Sequence, residues 1–246
     1  VPDLTRGIRG VAMIPGTGEY ALATTPVHCP RALGQNVSAN IHNPLGRTDL
    51  AVAAQTLDEE LPLCQSVSLV VSWFGDDLRA GACTVKPKVE DRSIDGVPMA
   101  WCAGGIGRSA AQEVVRDQGR PVYGGTPADG SVTEAIAALH AQGKAVMFYP
   151  FILMDQQAGN SLPDPWSGAA EQPRLPWRGR ITLSVAPGRA GSPDRTAAAS
   201  AEVQAFFGTA QPAHFSVQGG QVVYSGPNEW SYRRFILHYA MLCALA

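Results

Sequence analysis

Three carboxylates directly follow densely apolar stretches of the chain. Asp76 and Asp77 come after SVSLVVSWFG, and Asp155 comes after AVMFYPFILM. Hydrolysis of a glycosidic bond uses two carboxyl groups that face each other across the sugar, about 5 to 10 Å apart. Asp76 or Asp77 together with Asp155 is therefore the candidate catalytic pair. The alternative is that each aspartate caps the following turn or helix through its side-chain oxygens.

Aromatic side chains near these carboxylates offer flat surfaces on which a sugar ring can stack. The predicted ligand-binding set consists of Trp73, Tyr123, Tyr149, Asp164, Trp166 and Trp177. The alternative is that the Pro- and Trp-rich loop AGNSLPDPWSGAAEQPRLPWRGR folds onto itself and buries its own rings. Glu19, in GTGEY, is interpreted as a structural turn residue rather than as an acid.

Other chemistries lack their sequence marks. The five cysteines are widely spaced and include no C-x-x-C, so they do not predict a zinc site. A Cys83–Cys102 disulfide and free, buried thiols are the two alternatives for them. The five histidines form no H-x-x-x-H pattern, no G-x-S-x-G elbow occurs, and GGIGRS lacks the lysine of a P-loop. We therefore predict neither a metal nor a cofactor.

Composition and charge limit the classes of partner. The net charge is -2 and only 16% of the residues are charged, which gives no electrostatic basis for nucleic-acid binding. No apolar run reaches the length that spans a bilayer, so stable membrane insertion is not predicted. The first residues, VPDLTRGIRG, lack the apolar region of a signal peptide, which indicates synthesis in a cytoplasm.

Strands and helices alternate around the candidate residues. Residues 66–77 and 145–155 are predicted to be buried strands of a parallel sheet. Between them, SVTEAIAALHAQGK predicts a helix that starts with a capping box of Ser131 and Glu134. Residues 48–60 and 194–207 also have helical patterns. An α/β fold with parallel crossovers follows from this alternation.

Shorter elements are predicted around this framework. Residues 11–24 suggest two strands about a Pro-Gly-Thr-Gly turn, and residues 25–47 suggest an irregular linker. RPVYGG and RITLSVAP predict short strands, and HFSVQGGQVVYSG predicts a hairpin. RSAAQEVVRDQ, residues 108–118, predicts a short helix. The closing stretch NEWSYRRFILHYAMLCALA predicts a helix with Asn228 as its N-cap. Its apolar stripe is Tyr232, Phe235, Ile236, Tyr239 and Leu242. Residues 1–47 are accordingly assigned to a β-hairpin and linker segment of a neighbouring domain, and residues 48–246 to the main domain.

Seven stretches occur together in one order: PGTGEYALATTPVH, SVSLVVSWFGDDLRAG, PVYGGTP, FYPFILMD, AGNSLPDPW, PWRGRIT and YRRFILHYA. Through these seven stretches the chain resembles the TIM-barrel-like domain of the large tail-tip protein of gene transfer agents and related tailed phages. That domain is similar to glycoside hydrolases. The resemblance covers nearly the whole chain. It implies that residues 48–246 form the N-terminal portion of a (β/α) barrel, preceded by a short β segment.

The resemblance also implies a role and a location. We expect a structural, receptor-facing component of a phage-like tail tip that takes part in host attachment or in penetration of the cell envelope. Its partners would be other baseplate proteins in a homotrimeric assembly, together with a cell-surface glycan. Members of the family continue into further barrel strands, one of which ends in a Ser-Glu pair, so we expect this chain to be a fragment. The alternative is a glycoside hydrolase that acts on cell-surface or cell-wall glycan.

Overall fold

The computed structural model describes residues 3–14, 18–32 and 34–246, which form a mixed α/β fold. The helices are α1 (Leu4–Gly7), α2 (Asp49–Glu60), α3 (Asp129–Ala141), α4 (Ala197–Phe207) and α5 (Tyr232–Leu245). The longer strands are β1 (Gly10–Met13), β2 (His28–Ala32), β3 (Gln35–Ser38), β4 (Ser66–Gly75), β12 (Ala145–Met154), β13 (Phe215–Gln218) and β14 (Gln221–Tyr224). Seven two-residue strands lie between β4 and β12: β5 (Val85–Lys86), β6 (Lys88–Val89), β7 (Cys102–Ala103), β8 (Ile106–Gly107), β9 (Gln112–Glu113), β10 (Arg116–Asp117) and β11 (Arg120–Pro121).

The central sheet has four strands: β1, β4 and β12 are parallel and lie in that order, and the two-residue β5 pairs antiparallel with the end of β4. Ser66 at the start of β4 is aligned with Gly10 on one side and Ala145 on the other, and β4 and β12 pair over ten residues each. Helix α2 lies in the connection from β1 to β4, and α3 lies in the connection from β4 to β12. The parallel α/β framework predicted from the apolar runs is therefore present. Within the described residues the sheet does not close into a barrel.

One face of this sheet carries the main core. Leu69, Val71 and Trp73 of β4 are fully buried and belong to the same apolar cluster as residues of three helices. These helix residues are Leu50 of α2, Val132, Ala135 and Ile136 of α3, and Phe235, Tyr239 and Leu242 of α5. The apolar stripe predicted for the closing helix is thus the face that packs on the sheet.

The opposite face of the sheet is largely uncovered along its N-terminal half. We define the open face as Ser66, Ser68 and Val70 of β4 with Ala145, Met147 and Tyr149 of β12. Met147 is 62% exposed and Tyr149 is 43% exposed. Strand β12 is also an edge strand, since β4 is its partner in the described sheet. Pro150 fits this position because an edge strand tolerates a residue without a backbone N–H.

The segment assigned to a neighbouring domain takes part in this architecture. Strand β1 joins the central sheet, and β2 and β3 form an antiparallel hairpin in residues 28–38, where the sequence suggested an irregular linker. Tyr20 and Val27 help to form a second, smaller core with Trp101 and other residues of the β4–α3 connection. The division at residue 47 stays a prediction.

Several local predictions are corrected by the structure. Residues 11–24 contribute one strand rather than two, because the chain forms turns from residue 18 onward, and the predicted Pro15–Thr17 part of the turn lies outside the described residues. Residues 108–118 form a single 3-10 turn at 108–110 followed by short strands, not a helix. RITLSVAP contributes only an isolated bridge from Thr182 to Arg79. All five cysteines are free, so the Cys83–Cys102 disulfide is absent.

Two helix starts also differ from their predictions. Helix α3 begins at Asp129, so Ser131 lies inside it and Glu134 instead accepts hydrogen bonds from the backbone N–H groups of Thr24 and Thr25. Helix α5 begins at Tyr232, and its N-cap is Ser231, three residues after the predicted Asn228; Ser231 accepts the hydrogen bond from the Arg234 backbone N–H. Helix α2 and the β13–β14 hairpin lie where the sequence predicted them, and α4 occupies residues 197–207 of the predicted 194–207.

Glu229 joins the end of α4 to the start of α5 and makes this junction sensitive to acid. Burial would raise the pKa of Glu229, but hydrogen bonds from Ser231, Thr209 and Ala210 outweigh it and lower the pKa from 4.5 to about 2. A depressed carboxyl pKa stabilises the fold above pH 4.5, and this contribution is lost as the pH falls towards 2.

We expect Glu229→Gln to be less stable than the wild type at pH 7 and the difference to shrink steadily below pH 4.5. Urea unfolding at a series of pH values measures this. Glu60→Gln, at an exposed position that ends α2, is the control for the loss of one surface carboxylate. A Glu229→Gln difference that stayed constant from pH 7 to pH 2.5 would contradict the prediction.

Candidate functional site

Asp76 and Asp77 lie at the C-terminal end of β4, where each holds the chain that follows. Asp76 accepts hydrogen bonds from Thr84, at 2.7 Å from the backbone N and 2.5 Å from Oγ1. Asp77 accepts bonds from the Arg79 backbone N at 2.8 Å and from Nη2 of the same residue at 2.6 Å. These contacts are those of strand-end aspartates that shape the next turn.

Asp77 is further tied to the long loop of residues 156–178. Gln172 donates from Nε2 to Asp77 at 2.7 Å, and its Oε1 accepts the backbone N–H of Leu78 at 2.9 Å. Burial would raise the pKa of Asp77, but the hydrogen bonds from Arg79 and Gln172 outweigh it and lower the pKa. Asp77 is thus held as a carboxylate, which does not suit it to donate a proton near neutral pH.

Asp155 lies at the C-terminal end of β12 and forms a buried ion pair with Lys88. Its two oxygens are 3.0 and 2.8 Å from Lys88 Nζ, and the two side chains are only 2% and 9% exposed. Burial of Tyr123 raises the pKa of its hydroxyl, and the charge of the neighbouring Asp155 raises it further. The pair joins β12 to the excursion that separates β4 from α3.

The predicted stacking residues divide into buried and exposed groups. Trp73 is completely buried, with its ring 5.0 Å from that of Phe235 and its Nε1 donating to the Tyr239 hydroxyl at 2.8 Å. This packing leaves Trp73 no ring face for a ligand in this structure. Trp166 and Trp177 are 41% and 67% exposed.

Asp164, Trp166 and Tyr149 have contacts that fix their positions. Asp164 is buried and accepts hydrogen bonds from the Trp166 backbone N at 3.0 Å and from Ser167 Oγ at 2.6 Å. The Trp166 indole donates to the Arg180 carbonyl at 2.7 Å. Tyr149 lies on the open face of the sheet. Trp73 is therefore separated from the other predicted ligand-binding residues by its place in the core, whereas Trp166 and Tyr149 both contact the turn Arg178–Arg180.

A buried charged network that the sequence did not predict lies beyond the end of β1. Arg108 is 5% exposed and forms ion pairs with Glu19 and with Asp95, the latter at 2.9 Å from Nε. Its Nη1 donates to the Asp91 carbonyl at 2.6 Å, and its Nη2 donates to the Tyr20 hydroxyl at 3.1 Å. The Glu19 carboxylate also accepts the Glu90 backbone N–H at 2.7 Å.

Burial and charge act in opposite directions within this network. Burial raises the pKa of Glu19, and the hydrogen bond and charge of Arg108 counteract it only in part. Burial alone would lower the pKa of Arg108, but its bonds to Glu19, Asp95 and Tyr20 raise it, so the guanidinium stays charged. Glu19 was interpreted as a turn residue, and it does lie in a turn that packs against the second core.

One signal for this network was present in the sequence. Arg108 is a charged residue within the small, Gly- and Ala-rich stretch AGGIGRSAA, where a buried partner is needed to offset its charge. Its partner Glu19 is 89 residues away, so no local pattern could identify the pair.

The described residues contain neither a cluster of metal ligands nor a candidate membrane-spanning helix. No group of three or more His, Cys, Asp or Glu side chains in residues 3–14, 18–32 and 34–246 is arranged to hold a metal ion. No helix in this same part of the chain combines the length and hydropathy that a bilayer-spanning segment requires.

The chain matches no known protein-family model and no curated protein sequence.

Proposed function

We propose that this chain is a structural, receptor-facing component of a phage-like tail tip, and that its sheet is one wall of a (β/α)-barrel-like domain. The observation that carries the proposal is the open face of the central sheet. Parallel strands joined by helical crossovers, as β1, β4 and β12 are, almost always lie in sheets that are covered on both faces. Here Met147 and Tyr149 remain 62% and 43% exposed on a sheet whose other face is a packed core.

The placement of the helices supports a barrel wall rather than a doubly wound sheet. Residues of α2, α3 and α5 all belong to the core on one face. A (β/α) barrel has its helices outside and its inward strand residues packed against one another. A doubly wound sheet has helices on both faces. In our proposal further β/α units of the same polypeptide face Val70, Met147 and Tyr149 and complete the interior.

The contacts of the strand-end aspartates favour a scaffold over a hydrolase. Asp76 accepts a hydrogen bond from Thr84, and Asp77 forms an ion pair with Arg79 and accepts a hydrogen bond from Gln172. Asp155 forms an ion pair with Lys88. A general acid for glycoside hydrolysis needs a raised pKa and access to the leaving-group oxygen. Asp77 has a lowered pKa, and Asp155 is only 2% exposed.

We expect no release of reducing sugar when the protein is incubated with peptidoglycan or with surface polysaccharide of the host. Wild type, Asp77→Asn and Asp155→Asn would be compared, with a lysozyme as the positive control for the assay. Circular dichroism would verify that each variant is folded. Hydrolysis by the wild type that both folded variants lost would assign catalysis to these aspartates and overturn the scaffold proposal.

The location is tested on intact particles. Immunogold electron microscopy with antibodies raised against this chain should label the tail tip of phage-like particles, and gradient-purified particles should contain the chain. Label confined to the soluble fraction of the producing cells would contradict the proposed role.

A further inference from the structure

A pocket lies between the β2–β3 hairpin, the turn that contains Glu19, and the chain that follows β6. We call it the hairpin pocket and define it by Glu19, Arg31, Val37, Glu90, Ile94 and Arg108. Its volume is about 370 Å³, which is within the range of about 300 to 1,000 Å³ that is typical of small-molecule sites. It is separate from Trp166, Trp177 and the strand-end aspartates, none of which lines it.

The floor of the pocket is rigid and charged. Arg108 uses its guanidinium nitrogens on Asp95, the Asp91 carbonyl, Tyr20 and Glu19, so it is fixed in place from several directions. Glu19 accepts hydrogen bonds from Arg108 and from the Glu90 backbone N–H. A carboxylate can accept about four hydrogen bonds, so Glu19 retains capacity for a donor that enters the pocket.

The walls present charges of both signs beside apolar groups. Glu90 is half-buried, and one of its oxygens is 3.3 Å from the Gly125 backbone N. Arg31 is exposed on β2, and Val37 and Ile94 add aliphatic surface. A simple anion would meet Glu19 and Glu90, and a simple cation would meet Arg31 and Arg108, so neither is well matched.

A hydroxyl group suits such a lining because it donates one hydrogen bond and accepts up to two. It can donate to a carboxylate of Glu19 or Glu90 and accept from a guanidinium, and both bonds are strengthened by the charge of the protein group. The C–H surface of a sugar ring can at the same time pack on Val37 and Ile94. We propose that the hairpin pocket binds a neutral, polyhydroxylated ligand of the size of one monosaccharide unit.

This inference goes beyond the scaffold role and does not depend on it. The open face of the sheet and the hairpin pocket are formed by different residues. Absence of sugar binding would therefore contradict this inference but not the proposed location at the tail tip. Absence of immunogold label at the tail tip would contradict that location but not a measured affinity for a sugar.

The test is saturation-transfer-difference NMR with glucose, galactose, mannose and N-acetylglucosamine, each titrated onto the folded chain. At least one sugar should give saturable signals. Val37→Trp, which fills the mouth of the pocket, and Glu90→Gln, which removes a charged acceptor, should each weaken binding about tenfold or more. Val217→Trp is the matched steric control, since Val37 and Val217 are 45% and 43% exposed. Glu60→Gln is the matched charge control, and both controls should bind as the wild type does.

Two results would overturn the proposal. One is the absence of saturable signals for all four sugars, or signals that Val37→Trp leaves unchanged. The other is saturable binding of phosphate or of glycine that Val37→Trp abolishes while none of the sugars binds, which would assign the pocket to a charged ligand. Urea unfolding of Val37→Trp and Glu90→Gln separates loss of the ligand contact from loss of the fold.

Discussion

Replacing Arg108 with alanine is expected to lower the free energy of unfolding by about 3 to 5 kcal/mol. The substitution removes the one guanidinium that pairs with both Glu19 and Asp95, and Glu19 is only 7% exposed. A buried carboxylate without its cation costs far more than the pair itself contributes. Urea unfolding with linear extrapolation measures the change.

Arg233→Ala is the control for this prediction, since Arg233 is exposed on α5. We expect it to stay within about 0.5 kcal/mol of the wild type. The double variant Arg108→Met with Glu19→Gln removes both charges and should recover part of the loss. Equal stability of Arg108→Ala and Arg233→Ala would show that the buried network contributes little to the fold.

Replacing Trp73 with alanine is expected to cost a similar amount, about 3 to 5 kcal/mol, because it leaves a large cavity in the main core. Trp73 contacts the rings of Trp230, Phe235 and Tyr239, and its indole N–H is the hydrogen-bond donor to the Tyr239 hydroxyl. The substitution therefore also removes the donor to a buried hydroxyl.

Trp177→Ala is the matched control, since Trp177 is 67% exposed, and it should change stability by less than about 0.5 kcal/mol. Trp73→Phe should fall between the two, as it retains ring packing but loses the bond to Tyr239. A small effect of Trp73→Ala would mean that the α5 contacts do not hold the sheet, and it would restore Trp73 as a candidate for ligand binding.

Elements with strong periodic patterns could be predicted from the sequence. Strands β4 and β12 are long apolar runs, and α2 and α4 carry ordinary amphipathic or Ala-rich patterns with clear ends. The positions of Asp76, Asp77 and Asp155 after the strands followed directly from these assignments. Their roles did not, because their partners Thr84, Gln172 and Lys88 are 8, 95 and 67 residues away.

The incorrect predictions of a capping box at Glu134 and of a helix over residues 108–118 have the same physical origin as these unpredicted roles, which is contact between residues far apart in the sequence. Glu134 has the spacing of a capping box, yet its carboxylate is used by Thr24 and Thr25, more than 100 residues earlier in the chain. Arg108 lies in a stretch that suggested a helix, but its side chain is committed to Glu19 and Asp95 in the second core. In each case a tertiary contact outweighed a local preference of the backbone.

The edge position of β12 has a consequence for amide hydrogen exchange. In a strand paired on one side only, every second backbone N–H points away from the partner, so β12 should contain alternating slowly and rapidly exchanging amides. Strand β4 pairs with β1 on one side and with β12 on the other, so the amides of both Val67 and Leu69 should exchange slowly. If further polypeptide pairs with β12 in the assembled particle, its fast amides become slow, except at Pro150, which has no amide to protect. Exchange rates along this one strand would thus report occupancy of the edge without any knowledge of what occupies it.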